Sequence, residues 1–191
     1  MRLHRAITVI ISVICMGATP AVCQPVEPGA EGKLAALLSP EPGNHICYSR
    51  EYDAAHMKAH PQQKVRSMSF RLAYFRHEPD SYSPEGQRNY YFELHTTMHP
   101  DGRPLVTGGE CAPTDVGNKI RCGVDCDGGG IMIRKGAKQG QLIIDLEATG
   151  RIRMSDGCDD EEGVDLEPGI DDKVFLLSQV PADSCLPYDD W

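Results

Sequence analysis

Apolar and polar residues alternate along most of this chain from about residue 65 onward. The first such run has Met68, Phe70, Leu72 and Tyr74 at its apolar positions, and the runs 90–98, 120–126, 142–154 and 174–178 repeat the pattern. A period of two places the apolar side chains on one face of a strand. Turn-rich spacers separate the runs, so consecutive strands should pair antiparallel. The pattern predicts an all-β protein, an antiparallel barrel of about seven strands, with a two-sheet sandwich as the alternative.

The longest run decides between these two architectures. Alternation from Leu142 to Met154 corresponds to about 43 Å of extended chain at about 3.3 Å per residue. A domain of this size cannot hold a flat strand of that length. We therefore expect the strand to bend at Gly150 or to coil strongly, which favours a closed barrel.

One short helix is predicted before the strands. Asp53 is a good N-cap, residues 54–59 contain helix formers, and Pro61 prevents continuation. This spacing predicts a two-turn helix near the N-terminal end of the β domain.

The first 23 residues have the three parts of a secretory signal peptide. Arg2 and Arg5 precede an apolar run over 6–16, which is too short to cross a bilayer, and small residues follow. Cleavage between Cys23 and Gln24 leaves an even number of cysteines, and lipidation of Cys23 is the alternative. The sequence predicts a secreted or periplasmic protein of the bacterial type, with no transmembrane segment once the signal is removed.

The remainder is predicted to hold one domain. Residues 24–44 contain four Pro and three Gly and are expected to form a flexible or loosely docked leader. Residues 45–191 are expected to form a single β domain, which a chain of 191 residues can support with one core.

Six cysteines follow the signal, and in an exported domain they most often form disulfides. Spacing alone leaves 15 connectivities open. The favoured set joins Cys111 to Cys122, which flank a hairpin loop, Cys126 to Cys158, and Cys47 to Cys185 near the two ends of the domain. A zinc site that includes Cys122, Cys126 and Cys158 is the alternative.

Charge restricts the choice of partner. The chain carries 28 acids against 19 Lys and Arg, a net charge of −9, and loss of the signal would make this −11. Nucleic acid is therefore not an expected partner.

Residues 155–172 contain nine acids and no base, which is typical of a solvated surface loop. Two sharper hypotheses are a docking patch for a basic protein, and a calcium site formed by the carboxylates of Asp156, Asp159, Asp160 and Glu162.

Two His-x3-His pairs are candidate zinc ligands. His56 and His60 would share one face of the predicted helix, and His95 and His99 lie near the end of a predicted strand. Met57 occupies the position where a zinc protease has its general base. His95 belongs to the strand face that the alternation assigns to solvent. Surface histidines without metal are the preferred interpretation, so no cofactor is expected, with zinc or calcium as the alternatives.

The sequence contains no catalytic motif, and the function hypotheses follow from that. The leading one is an exported, non-enzymatic binding or inhibitory module that engages a protein or small ligand. A metal-dependent or divergent hydrolase that uses the histidine pairs is the second, and a calcium-stabilised structural protein is the third. The signal, the six cysteines and the small acidic β domain resemble several exported bacterial barrels, including periplasmic lysozyme inhibitors. This resemblance extends to fold and composition only and implies no site residue.

Overall fold

The chain folds into a closed antiparallel barrel of eight strands, seen in a computed structural model that describes residues 31–115, 117–155 and 163–185. The strands are β1 (His45–Glu51), β2 (Val65–Arg76), β3 (Arg88–Met98), β4 (Pro104–Pro113), β5 (Ile120–Gly123), β6 (Gly130–Lys135), β7 (Gln141–Asp145), β8 (Ile152–Met154), β9 (Val164–Leu166) and β10 (Val174–Val180). The predicted barrel is confirmed, with eight strands in place of about seven. The order of the strands around the barrel is β1-β10-β7-β6-β5-β4-β3-β2, and β8 pairs with β9 in a separate two-stranded sheet.

The interior of the barrel is formed by the apolar positions of the alternating runs. Phe70 and Leu72 of β2 pack with Phe92 and Leu94 of β3, and all four are at most 1% exposed. The rings of Phe70 and Phe92 stack with their centroids 5.9 Å apart. Period-two patterning therefore identified the inward face correctly.

In the described part of the chain, three short helical segments accompany the strands. The predicted helix is α2 (Ala54–Ala59), and its N-cap Asp53 accepts a hydrogen bond from the His56 backbone N–H at 2.7 Å. A 3-10 helix, η1, spans Ala182–Ser184. The third segment, α1 (Gly32–Ala35), lies in the predicted leader.

The described part of that leader is docked on the barrel. Leu34 is fully buried and Leu38 is 8% exposed, and both belong to the core cluster. Lys33 donates a hydrogen bond to the Thr114 carbonyl at 2.6 Å, and the Tyr90 hydroxyl donates to the Leu38 carbonyl at 3.1 Å. Residues 31–38 thus close the barrel end at which β4 finishes, whereas α2 lies at the end where β2 begins.

The chain bends at Gly150 as predicted, but the run 142–154 does not remain one strand. The chain leaves the barrel after Asp145, turns at residues 146–150 and resumes as β8, with Gly150 at φ +84°. The apolar alternation continues through the break because Leu146, Ile152 and Met154 are all buried, the last two as the inward-facing residues of β8. The β9 strand lies within the predicted acidic loop and was not anticipated.

Two of the predicted disulfides are present. Cys111 is bonded to Cys122 across β4 and β5, and Cys47 is bonded to Cys185. Cys126 is also disulfide-bonded, but its predicted partner, Cys158, lies outside the described residues. The predicted strand over 120–126 is shorter than expected and does not reach Cys126. This cysteine lies in a turn beyond β5, with a φ of +57°.

Candidate functional site

The outward face of β3 is a polar surface that is unexpectedly buried. Tyr90, Phe92 and Leu94 point into the barrel, so the alternating residues Asn89, Tyr91, Glu93 and His95 point outward. An outward row on a barrel is normally solvated. Here Asn89 is only 2% exposed and Glu93 only 7% exposed.

A carboxylate–imidazole pair lies near the middle of this row. The His95 Nε2 is 2.5 Å from Glu93 Oε1, and the side chains are 28% and 8% exposed. The other carboxylate oxygen, Glu93 Oε2, is buried and has no hydrogen-bond partner. Across the sheet, Glu93 is in register with Arg71 on β2 and with Gly108 on β4. The predicted solvent position of His95 was thus only partly correct, because its partner is almost completely covered.

A second carboxylate adjoins the row from β4. Glu110 is in register with Tyr91 and accepts a hydrogen bond from Asn89 Nδ2 at 2.8 Å. Burial raises the pKa of Glu110 above its usual range, the nearby charge of Asp125 adds to this, and the hydrogen bond from Asn89 opposes it. The Asn89 side-chain oxygen is itself buried without a donor.

The Tyr91 hydroxyl connects the second carboxylate to a histidine. It lies 2.6 Å from His77 Nε2, and burial raises the pKa of this phenol well above its usual range, with a further contribution from Glu110. We call the set of Asn89, Tyr91, Glu93, His95 and Glu110 the β3 strip. It presents two carboxylates and two buried acceptor oxygens that lack donors.

The histidine pair on α2 lies elsewhere, beside the loop that precedes β10. The rings of His56 and His60 stack with centroids 4.3 Å apart, and Tyr52 stacks on His56 at 4.5 Å. His56 Nε2 contacts Gln63 Oε1 at 2.9 Å, and His60 Nδ1 lies 3.5 Å from Asp171 Oδ1. The two imidazoles are therefore occupied by each other and by an amide and a carboxylate.

The four candidate histidines do not form a metal centre. His95 pairs with Glu93, and the backbone N–H of His99 donates to the Lys64 carbonyl at 2.7 Å. Across residues 31–115, 117–155 and 163–185, no group of three or more His, Cys, Asp or Glu side chains could hold a metal ion. The candidate calcium ligands Asp156, Asp159, Asp160 and Glu162 lie outside these ranges.

The described acids of the 155–172 segment make structural contacts. Asp165 accepts two hydrogen bonds from one guanidinium nitrogen of Arg151, both at 3.1 Å. Asp172 is fully buried and accepts from the backbone N–H groups of Lys64 at 2.6 Å and Val65 at 3.2 Å. These carboxylates hold neighbouring segments together, so this part of the segment is not simply a solvated loop.

The β3 strip was missed by sequence reasoning. Alternation assigned Glu93 and His95 to the outer face, but it could not show that the face would be covered. The one signal in the sequence was that Glu93 and Glu110 occupy outward positions on consecutive strands. It shows that the two carboxylates are close together only when the register between β3 and β4 is known.

Comparisons with known proteins do not assign this chain to a family. No protein-family model, curated protein or solved structure matches this chain. Among the helices in the part of the chain that the structure describes, none is long and apolar enough to span a membrane.

Proposed function

We propose that this protein is an exported, non-enzymatic binding module whose β3 strip receives basic side chains of a partner protein. The observation that carries the proposal is the buried, unpaired oxygen of Glu93, together with the unpaired oxygen of Asn89 on the same strand face. A buried acceptor without a donor costs about 1–3 kcal/mol, and more when it is charged. A ligand that displaces the side chains covering these oxygens and supplies donors to them would recover that free energy.

The chemistry of the strip favours a cationic ligand. Both unpaired atoms are acceptors, and Glu93 and Glu110 contribute carboxylates. A guanidinium group is a good match because it offers five N–H donors and remains charged at any physiological pH. The net charge of −9 would also steer a basic partner toward this protein.

The spacing of the acceptors favours a macromolecule over a small ligand. Asn89 and Glu93 are four residues apart on one strand, which corresponds to about 13 Å. A single amino acid or sugar cannot reach both positions, whereas two basic side chains on a protein surface or an extended peptide can. A partner protein therefore fits better than a metabolite.

Binding is proposed in preference to catalysis because the reactive groups of the strip are already engaged with each other. His95 pairs with Glu93, His77 with Tyr91, and Asn89 with Glu110. Export is supported by the signal-like residues 1–23 and is compatible with the disulfides.

Two matched peptides test the proposal. The probe is a fluorescent peptide that carries arginines separated by glycine and serine, and the control peptide replaces each arginine with neutral, isosteric citrulline. Anisotropy titration should show binding of the arginine peptide only, and amide chemical shifts should change most along β3. Because a hydrogen bond to a charged group contributes about 1.5–3 kcal/mol, Glu93→Gln should weaken binding about 10–150-fold.

The control variant separates local recognition from net charge. Glu147→Gln removes the same charge from the turn after β7, where Glu147 forms an exposed ion pair with Lys173. It should change the affinity little. Equal weakening by both variants, or equal binding of the citrulline peptide, would overturn the proposed site. Glutamine can still accept from His95, so the Glu93 variant should keep its fold, and its amide spectrum checks this.

A further inference from the structure

Arg71 lies beside the buried carboxylate of the β3 strip. It occupies an outward position on β2, between the inward residues Phe70 and Leu72, and it is the direct cross-strand partner of Glu93. Paired residues of an antiparallel sheet have their Cβ atoms about 4.5–5.5 Å apart, which an arginine side chain can span. On its other side Glu93 is paired with Gly108, which has no side chain. Of the two ladder partners of Glu93, only Arg71 can therefore donate a side-chain hydrogen bond to it.

The guanidinium of Arg71 has no ion-pair partner within the described part of the chain. The side chain is partly buried, yet none of the ion pairs found there includes it. Its ladder partner on β1 is Cys47, which is disulfide-bonded and uncharged. Its diagonal neighbours on β1 and β3 also lack carboxylates: His45, Ser49, Tyr91 and His95. Among these neighbours Glu93 is the one acid, so it is the counterion that the sheet places within reach of Arg71.

Arg71 and Glu93 are complementary groups, and neither satisfies the other in this conformation. Glu93 Oε2 is buried and has no donor. The Arg71 guanidinium offers five N–H donors in a planar arrangement that matches a carboxylate. Because Oε2 has almost no accessible surface, a donor that already belongs to the sheet reaches it with less rearrangement than one that arrives from solution. Only side-chain rotation is needed, since the ladder already sets the two backbones side by side.

We infer that Arg71 is a built-in competitor for the β3 strip. The strip is closed when the guanidinium pairs with Glu93, and it is open in the conformation described here, in which the two groups are apart. The inference rests on the proposed function and names the regulation of its site. A ligand arginine and Arg71 compete for the same carboxylate oxygen, so the apparent affinity is reduced in proportion to the fraction of molecules whose strip is open.

Competition with Arg71 also determines which ligands the strip accepts. A group on the same chain competes at an effective concentration in the millimolar range. A free arginine would exchange one guanidinium for another on Glu93 and would gain almost nothing. A ligand with a second donor for Asn89 Oδ1 makes a contact that Arg71 does not replace. The closed state therefore favours partners with two suitably spaced basic side chains over single cations.

Arg71→Gln tests the competition, with the arginine peptide of the anisotropy titration as the probe. The pair that this variant removes is partly buried, so its strength lies between that of an exposed ion pair and that of a buried charge-assisted hydrogen bond. We expect the variant to bind the peptide about 3–10-fold more tightly than the wild type does. Arg66→Gln is the matched control, because it removes the same charge from an exposed position at the start of β2. It should change the affinity by less than about twofold.

Hydrogen exchange of the Arg71 Nε–H group measures the closed state without any change at Arg71. The rate is read from solvent-exchange NMR, and Glu93→Gln supplies the reference in which the charged partner is absent. Exchange should be about 3–10-fold slower in the wild type, by the same factor as the gain in peptide affinity, because both report the ratio of closed to open molecules. Saturating arginine peptide should bring the rate back toward the reference. The amide spectrum of Arg71→Gln checks its fold, and the exchange measurement does not depend on that variant.

The outcomes that would overturn the inference differ in what they imply for the proposed function. Equal exchange rates in the wild type and in Glu93→Gln would show that Arg71 does not pair with Glu93. Equal peptide binding by the wild type and Arg71→Gln, or an equal gain in Arg66→Gln, would exclude the competition and leave the proposed function intact. A peptide that binds neither the wild type nor Arg71→Gln would overturn the proposed function together with the inference.

Discussion

Asp172 offers the sharpest test of what holds the α2 end of the barrel together. This carboxylate has no exposed surface, and it lies in the loop before β10. Its two oxygens accept hydrogen bonds from the backbone N–H groups of Lys64 and Val65, at the start of β2. One side chain thus joins two loops that are more than 100 residues apart in sequence.

Replacing Asp172 with asparagine keeps the shape and removes one acceptor. The remaining oxygen can accept one N–H, but the new amide NH₂ then faces the other donor. At low pH, where the carboxyl is protonated, its hydroxyl oxygen can still accept an N–H and the amide nitrogen cannot. Loss of one hydrogen bond and of one satisfied N–H should there cost about 2–4 kcal/mol of unfolding free energy. This is a large part of a typical stability of about 5–15 kcal/mol, and in a protein of this size it lowers Tm by about 2–4 °C per kcal/mol.

The dependence on pH has a defined sign. Burial raises the pKa of Asp172 above its ordinary value, against the opposing effect of the two backbone N–H bonds. A group whose pKa is higher in the folded than in the unfolded state contributes stability that is complete below the unfolded pKa, about 3.9, and that is lost as pH rises through the folded pKa. Because asparagine does not titrate, the stability difference between wild type and Asp172→Asn should shrink as pH rises from about 3.5 toward 7.

Urea unfolding followed by circular dichroism at several pH values measures this difference. Asp171→Asn is the matched control, since Asp171 is partly exposed, accepts the Gln62 N–H at 3.2 Å and lies 3.5 Å from His60 Nδ1. It should cost less than Asp172→Asn. A difference that instead widens with rising pH would refute the reasoning, because it would mean that the N–H bonds outweigh burial and depress the pKa.

Three further predictions concern the stability of the barrel. Leu34→Ala should cost about 2–5 kcal/mol in urea unfolding because it empties a fully buried position, whereas Leu37→Ala, at a partly buried position, should cost clearly less. Replacing Cys47 and Cys185 by serine removes a crosslink of sequence separation 138, and the chain-entropy model predicts a loss of about 5 kcal/mol of unfolding free energy. For Cys111 and Cys122, with a sequence separation of 11, the model predicts a loss of about 3 kcal/mol. Equal losses in urea unfolding would contradict the model for this protein. Gly129→Ala should lower Tm more than Gly43→Ala, because both have positive φ but only at Gly129 would a Cβ approach backbone, 2.4 Å from the Arg151 carbonyl oxygen.

Local patterning was sufficient for the barrel wall and for the short helix. The alternation through Phe70, Leu72, Phe92 and Leu94 identified the core because each strand has one face toward the interior. Asp53 and Pro61 similarly predicted the limits of α2, which depend on capping and on proline geometry rather than on distant contacts.

The same reasoning failed where burial comes from another segment. Leu146, Ile152 and Met154 continue the alternation past the end of β7, yet a turn separates the first from the other two. Leu34 was assigned to a flexible or loosely docked leader because proline and glycine surround it, and nothing local indicates that the barrel end buries it completely. In both cases burial is decided by a tertiary contact, and a single sequence does not show which distant segments will pack together.

The β3 strip shows why a stiff frame matters for the proposed function. Glu110 precedes Cys111, whose disulfide to Cys122 fixes β4 to β5, and Tyr91 is in register with Glu110 across the β3–β4 ladder. The strip is therefore held by one covalent crosslink and by the hydrogen bonds of a closed sheet. Such a surface loses little conformational entropy when it binds, which reduces the cost of association. Two unpaired acceptors can be retained there because the surrounding barrel, rather than the strip itself, supplies the stability of the fold.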